Sequence, residues 1–206
     1  MNEPVSGLNP RRLAPPPRIR LRLDRSAVVR AAGALADERG SVEGLQLAEL
    51  AARLAIRTPS LYAHVGSLDD LRRAIALEGL RDLRDRMTHA ASGHRGVEAL
   101  LSIARAVRTY ALERPGLYTA AALPPRDREW EDALLRLKDV FLTVLSRYGI
   151  SGDHATDCIR SLRSAVHGFI VLEAQGDFGQ PDPAASFERL VSVVLKGLLA
   201  DAPAAR

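Results

Sequence analysis

Apolar residues recur at three- and four-residue intervals along most of the chain. In Arg25 to Glu38 ("RSAVVRAAGALADE"), Val28, Ala31, Ala32, Leu35 and Ala36 form one stripe, closed by Gly40. Leu47, Leu50, Ala51 and Leu54 form a second, shorter one. Such i, i+3, i+4, i+7 spacing belongs to a helix with one buried side. Leu68 to about Ala91 carries Leu71, Ile75, Leu80, Leu83 and Met87, and Gly96 to Glu113 carries Leu100, Leu101, Ala104, Val107 and Ala111. Pro115-Gly116 ends that segment, and a short helix follows from Leu117 to Leu123, stopped by Pro124-Pro125. Trp130 to Tyr148, His154 to Gln175 and Ser186 to Ala200 complete the series. No stretch alternates with a period of two and no internal repeat is present, so the pattern predicts an all-α fold.

One segment is more specific than the rest. Leu47 to His64, "LAELAARLAIRTPSLYAH", reads as two short helices joined by the tight turn Ala55-Ile56-Arg57. The hydroxyl of Thr58 is placed to cap the second helix, with Pro59 at its first helical position, where a missing N–H costs nothing. Leu61 and Val65 point to the core. Arg57, Thr58, Pro59, Ser60, Tyr62, Ala63 and His64 are then the candidate DNA-contacting residues, a short helix with hydroxyls and an aromatic ring suited to a groove. This is a helix-turn-helix pattern.

Residues 24–71 resemble the DNA-binding domain of TetR-type (tetracycline-repressor-like) transcriptional regulators. "LQLAELAARLAI" is similar to the family's second helix and turn, "TPSLYAHV" to its recognition helix, and "GSLDDLRRAI" to the start of its fourth helix. Two positions depart from the family pattern. Ala55 stands where glycine is frequent in the turn, and Leu68 stands where a phosphate-contacting lysine is common. The resemblance implies an N-terminal three-helix helix-turn-helix domain at residues 23–71. A helical ligand-binding and dimerisation domain at 72–200 would follow it.

The second half resembles the WHG type of TetR C-terminal domain, named for a Trp-His-Gly signature. Val166-His167-Gly168 occupies that place, and "ERPGLYTAAAL" (Glu113 to Leu123) is also similar. The family's ligand pocket implies candidate wall residues Leu101, Arg105, Tyr110, Leu117, Tyr118, Trp130, Phe141, Arg163, His167 and Ile170. Its dimerisation implies a homodimer through the last two helices. Their stripes (Ile159, Leu162, Val166, Phe169 and Ile170; Phe187, Leu190, Val191, Val194, Leu195, Leu198 and Leu199) are broad enough to need cover on more than one side. A two-fold dimer reads a palindrome with two copies of one recognition helix.

Composition narrows the picture modestly. The formal net charge is +4, and residues 1–22 hold five arginines against Glu3, so this tail carries all of it and the remainder is neutral. Residues 1–22 read as a proline-rich disordered basic tail, and 201–206 as a second tail. The arginines of the first either follow phosphates or belong to a solvated extension. The tail lacks the apolar core of a signal peptide, and no run of 18 apolar residues marks a membrane span. Cys158, the single cysteine, fits the cytoplasm.

Catalytic chemistry finds little support. His154 and Cys158 are four residues apart, but two ligands do not make a metal site, and no phosphate loop, dinucleotide fingerprint or nucleophile elbow is present. Neither an enzyme, a metal site nor a cofactor is expected. Two functions follow: a regulator that a small molecule releases from a double-stranded DNA operator, or a helical binding module that has lost DNA binding.

Overall fold

A computed structural model of the chain describes residues 23–123, 127–179 and 183–200. The two tails and the Pro124-Pro125 stop lie outside these residues. The described chain is helical: α1 (Arg25–Arg39), α2 (Leu47–Arg53), α3 (Thr58–Leu61), α4 (Leu68–Ala91), α5 (Gly96–Glu113), α6 (Pro115–Ala122), α7 (Arg128–Ser146), α8 (Gly152–Gln175) and α9 (Ala184–Leu199). No described helix is long and apolar enough to cross a membrane.

Local chemistry explains most of the boundaries. The Asp24 carboxylate accepts from the Ala27 N–H at the start of α1, and Gly40 closes that helix in the left-handed region at φ 69°. Ser67 accepts from the Asp70 N–H to open α4, and Asp127 accepts from the Trp130 N–H to open α7. Such caps satisfy N–H groups that have no partner within the helix. Pro115 opens α6 as well as ending α5, as suits a residue without an N–H at a first helical position.

Helix α6 is wedged between α1 and α4. A Cβ added at Gly116 would lie 2.2 Å from the Ala36 carbonyl carbon, so only glycine lets the two backbones meet. A Cβ at Gly79 of α4 would lie 2.7 Å from the Leu117 oxygen on the other side of the wedge. Asp37 completes the joint: its carboxylate accepts from the Leu117 N–H at 3.1 Å and from Arg114 Nε at 2.6 Å. Below this joint, α4 packs against α5 and α7, while α8 and α9 pair and close over α5. Phe169 of α8 meets Phe187 of α9 edge-on at 5.2 Å. The Arg108 guanidinium lies over the Phe187 ring and pairs with Glu173, both charged side chains being largely shielded.

The turn between α2 and α3 carries local strain. Ala55 has φ 54°, the one positive value at a non-glycine residue among those described. The Ile56 N–H donates to the Ala51 carbonyl and the Ala55 N–H to the Ala52 carbonyl. This pair is the Schellman arrangement, which places its αL residue at position 55. An L-residue there costs roughly 1–2 kcal/mol, against roughly 0.5–1 kcal/mol of extra backbone entropy that glycine loses on folding. Ala55→Gly is therefore expected to stabilise the chain by about 0.5–1 kcal/mol. A denaturant midpoint unchanged or lowered in that variant would remove the strain argument.

Candidate nucleic-acid interface and cavity

The segment after this turn is held from beneath and open above. Leu61 and Val65 are buried in the core shared by α1, α2 and α4, which fixes the rotation of α3. Arg57, Pro59, Ser60, Tyr62 and Ala63 are exposed, while Thr58 and His64 are half-buried. Tyr62 is 55% exposed, so its ring is accessible from the open side. The expectation that Thr58 caps this helix is corrected. Arg57 is the N-cap, extended at φ −82° and ψ 145°, and its carbonyl accepts from the Ser60 N–H at 2.8 Å. Thr58 is the first helical residue, so its hydroxyl is not spent on a cap. Leu68 packs partly against the core, and Ser67 is the residue that opens α4.

The far end of the segment is clamped by a residue that the sequence reading left out. Arg25, at the first turn of α1, donates to the His64 carbonyl at 3.0 Å and makes two bonds, of 2.8 and 2.7 Å, with the Asp70 carboxylate. Asp70 also accepts from the Gly66 N–H at 2.9 Å. One ion pair thus ties α1, the end of the α3 segment and α4 together. The Arg25 bonds hold the Asp70 carboxyl down at about 2, below its usual 3.8. A depressed carboxylate contributes stability that is present above its ordinary range and lost as pH falls toward 2. The acids at the start of α4 therefore divide: Asp70 belongs to the clamp, and Asp69 is exposed at the helix N-terminus.

A cavity of about 560 Å³ lies in the second half of the chain, within the range of small-molecule sites. Five helices wall it. The apolar surface comes from Leu80, Leu83 and Met87 of α4, Ala104 and Val107 of α5, Ala121 of α6, Leu134, Leu137 and Phe141 of α7, and Ile159, Leu162 and Val166 of α8. Polar groups are few: Tyr118, Glu131, Lys138, Thr156, Arg160, Arg163 and His167. The Tyr118 hydroxyl and His167 Nδ1 are 2.9 Å apart. Burial pushes the Tyr118 phenol up to about 12, and burial together with the nearby Arg163 charge lowers His167, so both are neutral at pH 7.

Of the wall residues expected from sequence, Tyr118, Phe141, Arg163 and His167 are brought together here. The others are placed elsewhere, each for a definable reason. Arg105 pairs with Glu188 of α9 and with Glu98, holding α5 to α9. Tyr110 is fully buried and donates to the Gly79 carbonyl at 3.3 Å, and Leu117 fills the space over Gly33 and Gly79. Trp130 and Ile170 are core side chains, and Leu101 packs against that core from its edge. Lys138, Thr156 and Arg160 went unrecognised in the sequence. For Thr156 and Arg160 the signal was a spacing: 156, 160, 163 and 167 fall on one face of α8.

Comparison with known proteins bears on both parts. A family profile described as "Tetracyclin repressor-like, C-terminal domain" matches residues 100–194. The HTH-type transcriptional regulator YobS of Bacillus subtilis is 35% identical over 185 residues, covering 87% of this chain and 95% of the relative. The chain belongs to the TetR family of transcriptional regulators. A second HTH-type regulator, Rv0681 of Mycobacterium tuberculosis, is 33% identical over 180 residues, covering 86% of this TetR-family chain and 82% of the relative. Two solved structures share the fold. A TetR variant from Acinetobacter baumannii in complex with minocycline has a TM-score of 0.66 at 23% identity, covering 89% of this chain and 100% of that one. Apo ActR from Streptomyces coelicolor has a TM-score of 0.64 at 20% identity, covering 86% and 95%. This TetR-family chain is accordingly an all-helical DNA-binding regulator with an N-terminal helix-turn-helix, and not an enzyme.

The clamp yields a prediction. Arg25→Ala leaves Asp70 without its cation and the His64 carbonyl without a donor. Affinity for duplex DNA should fall about threefold to tenfold with the slope of affinity against salt unchanged. A slope reduced by about one would mean instead that Arg25 itself meets a phosphate.

Proposed function

We propose that this regulator is a homodimeric repressor, released from a palindromic operator by a small molecule bound in the cavity. The observation that carries the reading is the double role of α6. Its N-terminal end is joined to α1 through Gly116, Leu117 and Asp37, while Tyr118, Ala121 and Ala122 face the cavity. Helix α4 has the same double character, from the Asp70 clamp at one end to Leu83 and Met87 at the other. A ligand that fits only one placement of α6 and α4 shifts the population of recognition-helix placements. A hundredfold loss of DNA affinity needs about 2.7 kcal/mol of differential binding, within reach of a mostly apolar site. The similarity to a TetR variant in complex with minocycline supports a small molecule as the effector.

Dimerisation is proposed through α8 and α9. Their outward faces expose Val171, Leu172 and Val193, the last at 63%. Gly168 and Gly197 sit inside these helices with open space where a Cβ would be. Glycine in a helix costs about 1 kcal/mol against alanine, and nothing within the described chain requires it at either place. Close approach of helices from a second copy does. Arg57, Thr58, Pro59, Ser60, Tyr62, Ala63 and His64 are the proposed DNA contacts, and the proposed site of action is the cytoplasm.

Two measurements test this reading. Selection from a random duplex pool at physiological salt is expected to enrich a palindrome. Tyr62→Ala should bind that sequence more weakly by about 1–3 kcal/mol. Failure of the normal protein to enrich any sequence would favour a helical binding module without DNA function. Separately, Val193→Glu should sediment as a monomer with a normal helical spectrum and lose cooperative occupancy of the two half-sites. A Val193→Glu dimer would move the interface away from α9.

A further inference from the structure

The chemical character of the cavity is uneven. Its apolar surface is continuous from α4 through α7, whereas most of its polar side chains stand on α8. The charged groups on its wall are three cations, Lys138, Arg160 and Arg163, against one acid, Glu131, and two of the cations are already engaged. Lys138 donates to the Thr156 hydroxyl at 3.2 Å, and Arg160 pairs with Asp157 at 3.2 Å. Arg163 makes no ion pair among the described residues. It stands one helical turn before His167, close enough for its charge to lower that ring's proton affinity.

The His167–Tyr118 pair adds a second property. If the phenol donates to Nδ1, the imidazole keeps an Nε2–H. If Nδ1–H donates to the phenol oxygen, Tyr118 keeps its O–H. Either tautomer leaves one donor of the pair unspent beside a guanidinium that has no ion pair among the described residues. Arg163 is exposed at the rim of the cavity, and a guanidinium there with an adjacent donor favours an anionic group that can take two bonds from arginine and a third from the pair.

We propose that the cavity takes an amphiphilic organic acid, an apolar body along α4 and α7 with its anionic group held by Arg163 and the His167–Tyr118 pair. The inference rests on the cavity being the ligand site. It adds a sign of charge and an orientation: the acid end sits against α6, the helix joined to α1. Engagement of the pair by the anion bears on that helix through Tyr118, directly or through its bond to His167. An apolar molecule of the same shape without the charge fills the walls and leaves the hydroxyl of Tyr118 with His167 alone.

The test uses two fluorescent probes with one body, 1-anilinonaphthalene-8-sulfonate and the uncharged N-phenyl-1-naphthylamine, titrated into the full chain. The sulfonate should bind about tenfold more tightly than the neutral probe, the size expected of one good charge-assisted contact. Arg163→Gln should remove that preference while leaving the neutral probe's affinity unchanged, and Arg163→Lys should restore part of it. Equal affinities in the normal protein, or a sulfonate preference that survives Arg163→Gln, would overturn the assignment of ligand class. Val166→Trp and Ala122→Trp fill the cavity from α8 and α6, and each should weaken both probes at an unchanged melting temperature. Probes that bind equally well to both filled variants, or fail to bind the normal protein, would overturn the cavity itself and with it the ligand-responsive reading.

Discussion

At Gly116 nothing separates the backbone of α6 from that of α1. The gap between them is smaller than a methyl group, and the Asp37 carboxylate locks both the Leu117 amide and Arg114 onto the same spot. Much else follows from this contact. It sets the height of α6 against α4, where Leu117 covers Gly79, and so decides which residues of α6 reach the cavity. It also fixes α1, whose first turn carries Arg25 and therefore the end of the recognition segment. Protein interiors resist gradual deformation because they are close-packed. A joint this tight moves as a unit or not at all.

Charge is used sparingly in the same frame. Most of the described arginines near the joints are tied to carboxylates: Arg25 to Asp70, Arg73 to Asp127 and Glu129, Arg108 to Glu173, and Arg114 to Asp37. Several are half exposed, and such pairs contribute geometry more than energy. Arg73 is informative, because Asp127 is also the cap of α7, so one guanidinium links the cap of a cavity-wall helix to the helix that supports DNA recognition. Counting basic residues would miss this. The neutral balance of residues 23–206 reflects arginines spent on holding helices together.

The parts legible in the sequence were those governed by local rules. The stripe of α4, with Leu71, Ile75, Leu80, Leu83 and Met87, is buried throughout, because helical periodicity states which side faces inward. The strain at Ala55 was legible for the same reason, since a turn that ends a short helix requires an αL residue near that place. Periodicity does not say which neighbour an inward side meets. Trp130 and Tyr110 are large inward residues, and only the packing of neighbouring helices against them separates core from cavity wall. Arg105 was drawn into the expected pocket because its partner, Glu188, lies 83 residues away. Thr58 shows the opposite limit: a shift of one residue in the helix start made an expected cap the first helical residue.

The five-helix wall has a consequence for how such a regulator diversifies. Leu134, Leu137, Lys138 and Phe141 all come from α7, which packs chiefly against α4, with α8 and α5 beside it, and is tied to α4 by the Arg73 contact. Under the proposed function, substitutions along α7 would reshape what the chamber accepts while leaving the Gly116 joint intact. Recognition of a ligand and its relay would then be separable parts, and a lineage could exchange the first many times over without having to reinvent the second.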